Sequence, residues 1–354
     1  MEGGTLAKDS NGEAGGWSAS RRGFLGGVLG LAAAGSLLPV AAQDGTPAAS
    51  PLTGSWSFTD DKGMTIELPY RPVRIVADVN AAAPLWDFGI RPIAVFGWNA
   101  TLTENGDFGA AGGRIDPSQV EIVGDEVETI RLEDALAMDP ELIVTLTWAP
   151  DEPLEYWSID ASVVDRVKAI APILALSATG RADLNLARSV ELAEALGADL
   201  STPDQQAQKV RYEMALGEFE SVATEKSDLT NVFGSIDATE KSYIANPPDW
   251  GDLSWYRQLG LNIIDPEANP LDYWQELSRE GALMYPSDVF WQSTRPGTLT
   301  PEEMQADPVL SGNPAIKAGQ VGWWNQDYIL SYQGMADALE NLSTVLSSAE
   351  KVTG

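Results

Sequence analysis

From residue 55 onward, short apolar runs alternate with polar and Gly/Pro-rich breaks, the spacing of a protein built from short strands and helices. Ser55–Thr59 and Met64–Leu68 flank Asp60–Asp61–Lys62–Gly63 and predict a β-hairpin, closed by Pro69 and Pro72. Arg74–Asp78 predicts a buried strand, Ala81–Phe88 a short helix stopped by Gly89, and Ile93–Trp98 a second strand. Strand, helix, strand at this spacing reads as a parallel βαβ unit. A Gly- and Asn-rich loop over 99–119 leads to Val120–Val123. A helix over Ala161–Ala171 and a strand over Ile173–Leu176 complete a lobe of ordinary domain size.

The longest helical stretch covers 183–226. Leu184–Leu196 is amphipathic and ends at Gly197. Ser201–Thr202–Pro203–Asp204 has the composition of a helix start, and Asp204–Lys226 continues with one internal glycine, Gly217. A helix of this length suits a connection between two lobes; an ordinary surface helix of either lobe has the same pattern. The strand–helix pattern then restarts with a strand at Val232–Ile236, a helix at Leu253–Leu259 stopped by Gly260, and a strand at Asn262–Asp265. Gln320–Asn325 predicts a further strand and Met335–Glu350 a terminal helix.

One short pattern occurs twice. Glu133–Val144 reads EDALAMDPELIV and Glu280–Trp291 reads EGALMYPSDVFW. Each has a Glu, then Ala–Leu (Ala135–Leu136, Ala282–Leu283), then an acid (Glu141, Asp288) and an apolar run. The expected unit is a short helix with Glu in its first turn, a turn, and a buried strand. One copy falls on each side of the long helix, as two similar lobes require.

The first residues follow different rules. Residues 1–17 are Gly-rich and polar. Ser20–Arg21–Arg22–Gly23–Phe24–Leu25 then precedes the apolar run Leu25–Leu38 and the small residues up to Ala42. A paired-Arg start, a short apolar run and a small-residue cleavage site predict an export signal over 1–42, and S-R-R-x-F-L resembles the twin-arginine type. Residues 43–54 have a linker composition. The expected organisation is therefore signal 1–42, linker 43–54, N-terminal lobe 55–200, interlobe helix 201–226 and C-terminal lobe 227–354. No Cys follows the cleavage site, so an exported, periplasmic or extracellular protein without a lipid anchor is expected.

Composition narrows the chemistry. The 354 residues contain no Cys and no His, which removes disulfides, thiolate nucleophiles, imidazole bases and His metal ligands. Asp and Glu number 52 against 22 Lys and Arg, for a net charge of −30, so nucleic acid and anionic membranes are expected to be repelled. Of the twelve tryptophans most are expected in the core or in lobe packing, and any surplus suits a stacking pocket. An exported enzyme using paired acids is the rival class; no phosphate-cradling Gly motif or nucleophile site accompanies those acids.

Four blocks carry a family resemblance: TDDKGMTIELPYRPVRIVAD with FGIRPIAVFGW; GDEVETIRLEDALAMDPELIVTLTW; ELSREGALMYPSDVFWQS; and NPAIKAGQVGWWNQDYILSYQGMADALENL. In this order they resemble the ABC-transporter solute-binding proteins for ferric siderophores, haem and cobalamin. The resemblance runs from residue 57 to 347. It implies two α/β lobes, each with a mostly parallel central sheet flanked by helices, joined by a long rigid helix with the ligand cleft between the lobes. It implies a non-enzymatic, monomeric binder that hands its ligand to an ABC permease dimer. Carried over by position, Glu133 and Glu280 would pair with permease arginines; a first-turn Glu also complements a helix dipole whatever its partner.

Ligands of open α/β sheets gather beyond the C-terminal ends of strands. Those segments supply Asn80, Trp98–Asn99, Thr147–Trp148, Asp237 to Tyr243, Ser293 to Arg295, and Trp324 to Tyr328. By match to family cleft positions, Trp98, Trp148, Tyr243, Trp274, Trp324 and Tyr328 are candidate ligand contacts, with core packing the alternative for each. Arg295 could meet a carboxylate or catecholate oxygen, or a neighbouring acid. Siderophore binders often carry several cleft arginines; here these segments offer mainly Arg295. A neutral or cationic ferric chelate, a hydroxamate above all, is therefore favoured, with no resident cofactor or protein-held metal. Cobalamin, haem held by a Tyr, and a quaternary amine or polyamine caged by Trp are the alternative ligands.

Overall fold

The computed structural model describes residues 54–125, 130–239, 241–268 and 272–354. The predicted signal over 1–42 and all but the last residue of the linker lie outside them.

The N-terminal lobe opens with an antiparallel hairpin, β1 (Trp56–Thr59) and β2 (Thr65–Leu68). Then come β3 (Ile75–Asp78), α1 (Val79–Asp87), β4 (Ala94–Phe96), the short α2 (Gly109–Gly112) and β5 (Glu121–Ile122). The lobe continues through α3 (Leu132–Ala137), β6 (Leu142–Thr147), α4 (Val164–Ile170), β7 (Ile173–Ser177) and α5 (Ala182–Ala195). The order β5-β4-β3-β6-β7 is parallel throughout. Its central strands are buried along their length and mostly apolar, with Asp78, Thr145 and Thr147 the polar exceptions, because helices and loops cover both faces.

α6 (Pro203–Glu225) starts at Thr202, whose hydroxyl caps the Gln205 amide. Near its start Gln205 Nε2 donates to Asp87 O of α1 (2.7 Å). Ala215, Phe219 and Ala223, spaced four apart, form its buried stripe. Towards its end Phe219 meets the Tyr256 ring at 5.5 Å and Lys226 Nζ donates to Ala349 O (2.9 Å), so the helix begins on the first lobe and ends on the second.

The C-terminal lobe comprises β8 (Asn231–Ile236), β9 (Lys241–Ala245), α7 (Gly251–Gln258), β10 (Trp274–Ser278) and β11 (Val289–Ser293). α8 (Pro301–Ala306), α9 (Pro314–Ala318), β12 (Val321–Trp324) and α10 (Tyr332–Ser348) complete it. α10 lies along α6, where Arg211 donates to Glu340 and Asp337. The sheet order is β10-β9-β8-β11-β12. β8, β11 and β12 are parallel, whereas β9 and β10 are antiparallel. Two expectations change here. Residues 241–245 form a strand where a loop was expected, and the strand expected over Asn262–Asp265 is a single bridge, Asn231 to Ile263. Lys241 and Glu276 pair across β9 and the edge strand β10 (2.5 Å), and such short, partly polar strands lack a clear apolar pattern.

One apolar cluster runs through both lobes, joining Val79, Leu146 and Leu176 to Phe233, Trp250, Trp324 and Leu339. Each sheet buries its other face in a separate cluster of its own lobe. A shared core ties the lobes together, which argues for small relative movement.

Candidate ligand cleft

Between the ends of the two sheets lies a cleft of about 830 Å³. From the first lobe it receives Trp98, Trp148, Glu152, and Leu154 to Ile159; from the second, Trp250, Tyr273, Trp274 and Arg295. Each arrives by an identifiable route. Gly97, after β4, holds φ 108°, and a Cβ there would meet Asp78 Oδ2 at 2.3 Å, so only glycine lets this turn deliver Trp98. Trp148 follows β6. The Glu155 carboxylate accepts from the Trp148 and Ala149 amides (both 3.2 Å) and from the Thr147 hydroxyl, closing that loop back on the strand end. Ser158 sits at φ 61°, a left-handed conformation unusual for a side-chain-bearing residue and found disproportionately at binding sites.

The aromatic wall is continuous across the lobes. The Trp148 ring meets Trp157 at 5.7 Å, Trp250 at 6.2 Å and Tyr273 at 5.2 Å, all edge-to-face. Trp250 meets Trp274 at 4.9 Å. Such contacts hold large rings in place at little entropic cost. The indole N–H groups of Trp98 and Trp148 are buried and find no partner among the described residues.

Arg295 lies with its guanidinium 4.2 Å over the Trp98 ring. Its Nε and Nη2 donate to the two oxygens of Asp327 at 2.7 and 2.6 Å. Behind this pair sit two buried carboxyls. Burial pushes Asp78 up to about 7, against the lowering by the Ser158 hydroxyl and the Asn80 amide. Burial likewise pushes Asp252 up to about 7, although Trp324 Nε1 donates to its Oδ2 at 2.7 Å.

Of the candidates, Trp98, Trp148, Trp274 and Arg295 line this cleft. Tyr243 lies within β9 outside the cleft lining, its ring 6.2 Å from that of Trp274. Trp324 is buried beneath Trp250 and Trp274, its ring 5.1 and 5.8 Å from theirs. Trp324 and Tyr328 border a separate cavity of about 380 Å³ that shares no lining residue with the first. The sequence pattern did not single out Trp157, Trp250 or Tyr273. Trp157 stands in the loop that follows Trp148, so the strand-end rule would have reached it had the whole loop been taken.

The repeated pattern lies elsewhere on the lobes. Glu133 is exposed in the first turn of α3, and Glu280 is exposed in a 3-10 helix, Arg279–Met284. In both copies the Ala is fully buried (Ala135, Ala282) while the Leu beside it is exposed: Leu136 at 62% and Leu283 at 37%.

The family model described as periplasmic binding protein matches residues 122–328. The chain belongs to this family. Its fold and resemblance are those of the ABC-transporter solute-binding proteins of siderophore type, a family of binders and not of enzymes. Among solved structures, it is similar to DesE, a ferric-siderophore receptor protein from Streptomyces coelicolor. Identity is 30%, covering 84% of this chain and 99% of that one, with a TM-score of 0.78. The siderophore periplasmic binding protein from the fuscachelin gene cluster of Thermobifida fusca shares the fold at 20% identity and TM-score 0.57, over 78% of this chain and 96% of that one. The periplasmic catecholate-siderophore binding protein VctP from Vibrio cholerae does so at 16% identity and TM-score 0.56, over 83% and 99%. Comparison with curated protein sequences returns no match.

Proposed function

We propose that this solute-binding protein captures a ferric siderophore-type chelate, a hydroxamate above all, and delivers it to an ABC permease dimer. The observation that carries this reading is the lining of the cleft: a wall of Trp and Tyr with Arg295 as its single Lys or Arg among the described residues. Three hydroxamates balance the charge of Fe³⁺, leaving a compact complex with apolar flanks that such a wall suits. Three catecholates leave a triply negative complex, for which one guanidinium is a poor match. The 30% identity to DesE, a ferric-siderophore receptor protein, supports a ferric siderophore as the ligand class.

On this reading Trp98, Trp148, Trp274 and Arg295 contact the ligand, and Tyr243, Trp324 and Tyr328 support it from behind or from the adjoining cavity. Glu133 and Glu280 dock on the permease, one per lobe, each with an exposed Leu at its side. The lobes correspond to 55–200 and 227–354 with a connector over 201–226, and the protein acts as a monomer exported by the twin-arginine route. Titration with a ferric tris-hydroxamate, followed by Trp fluorescence and the visible absorption of the iron complex, tests the proposal. Saturable quenching is expected; no response at millimolar chelate rejects it.

A second reading has one observation behind it. The edge-to-face wall of Trp148, Trp157, Trp250, Tyr273 and Trp274, with Glu152 and Glu155 in the same lining, has the composition of a cage for an organic cation. Calorimetry with choline and spermidine beside the ferric hydroxamate separates the two.

A further inference from the structure

Arg295 and Asp327 follow neighbouring parallel strands, β11 and β12, which are in register through Ser293 and Trp324. The pair is a two-bond fork: Nε to Oδ2 at 2.7 Å and Nη2 to Oδ1 at 2.6 Å. Gln326 covers the guanidinium from above: with its amide nitrogen donating to Ser293 Oγ, its carbonyl oxygen lies 2.7 to 3.3 Å from all three guanidinium nitrogens, over the plane of the group. One face of the guanidinium lies against Trp98. Asp327 is held in turn from both lobes. Its own amide donates to Asn325 Oδ1 (3.1 Å), and Asn80 Nδ2 of the first lobe reaches its Oδ1 (3.4 Å), with Asn99 bonded to Asn80 behind it.

Two of the three nitrogens of the one guanidinium lining the cleft among the described residues are therefore bonded to a carboxylate before any ligand arrives. The pair is largely out of solvent, with the Asp327 side chain 9% exposed, so salt screens it weakly. An incoming anion would have to displace a carboxylate already in bidentate geometry.

We propose that Asp327 sets the charge selectivity of the cleft: by occupying Arg295 it removes the positive charge an anionic chelate would need, leaving neutral and cationic chelates favoured. The inference rests on the binding reading above and adds to it the residue that discriminates among ligand charges. Asp327 acts through Arg295, as a positioning and neutralising residue, and not by touching the ligand.

The test compares wild type, Asp327→Asn, Arg295→Gln and the double variant, using a neutral ferric tris-hydroxamate, a cationic one bearing a free amine, and a ferric tris-catecholate. In Asp327→Asn the ratio of catecholate to neutral hydroxamate affinity should rise at least about tenfold, with a steeper salt dependence. The double variant should show no such rise, because the unmasked guanidinium is gone. Arg295→Gln should raise the ratio of cationic to neutral hydroxamate affinity by a similar factor, and it carries the test should Asp327→Asn not fold. Unchanged ratios in either single variant, or a wild type that binds the catecholate as tightly as the hydroxamate, overturn the inference. A wild type that binds none of the three chelates rejects the ligand class instead. Asp327 is then judged on whether Asp327→Asn alone gains the catecholate.

Discussion

Glu141 and Asp288 perform the same task in the two lobes. Each carboxylate directly precedes a strand, β6 or β11, and accepts backbone N–H groups from the residues leading into the neighbouring parallel strand. Glu141 takes Val73 N (2.7 Å) and Arg74 N (3.0 Å) ahead of β3. Asp288 takes Thr230 N (2.8 Å) ahead of β8, and also Val352 N and Thr353 N of the C-terminus (2.8 and 2.7 Å). The acid of the repeated pattern is thus a clamp on strand starts, and the repeat is partly a structural device.

Asp288 is fully buried, and burial alone would raise its carboxyl. The amides of Thr230, Thr353 and Val352 outweigh that and hold it well below the usual carboxylate range. A depressed folded-state value means its stabilisation is complete above the unfolded value near 4 and is lost as pH falls below that. Asp288→Asn should cost about 3 kcal/mol at neutral pH, and Glu141→Gln, which is more exposed, about 1 kcal/mol. Urea unfolding at pH 7 checks the magnitudes. At pH 2 the gap between wild type and Asp288→Asn should narrow.

The buried carboxyls behind the cleft predict the opposite pH dependence. Asp78 and Asp252 are both raised to about 7. Between roughly pH 4 and 7 the folded protein holds protons there that the unfolded chain has released, so stability falls as pH rises through that window. Asp78→Asn or Asp252→Asn should each flatten the slope, by up to about 4 kcal/mol across the window. Thermal melts of wild type and variants at pH 5 and pH 8 measure it; parallel curves would falsify the assignment.

For the ligand, Trp148 is the most informative aromatic, since it touches Trp157, Trp250 and Tyr273 at once. Trp148→Ala should weaken ferric hydroxamate binding by about 2 kcal/mol, or some thirtyfold. Tyr243→Phe, in β9 away from the cleft lining, should change it little. Fluorescence titration of both variants separates a cleft-lining role from a general loss of folding.

For docking, Glu133→Ala with Glu280→Ala should abolish transport and leave ligand affinity intact. Leu136→Ala with Leu283→Ala should lower permease affinity by roughly tenfold without changing stability, because both side chains already face solvent. Uptake of labelled chelate in reconstituted vesicles, beside calorimetry of the soluble protein, reads both outcomes. Normal transport by the Glu pair variant would remove these residues from docking.

Local pattern was enough for much of this protein. The hairpin, the βαβ start and the strands of the parallel cores were legible because apolar runs bounded by Gly and Pro have few other solutions. The long helix was legible from Thr202–Pro203, and the two-lobe plan from the repeated segment. Tertiary structure decided what pattern could not. Strands β9 and β10 exist because each finds a neighbour, although their own sequences are short and partly polar. Trp324 and Trp148 both follow the strand-end rule, yet one is buried on Asp252 and the other faces the cleft, since only packing fixes which side of a sheet end is open. Arg295 is visible as a lone cation in an acidic chain. That its charge is occupied by a carboxylate from the next strand is a fact of geometry, because neighbours in a parallel sheet are brought together across dozens of residues that no local window spans.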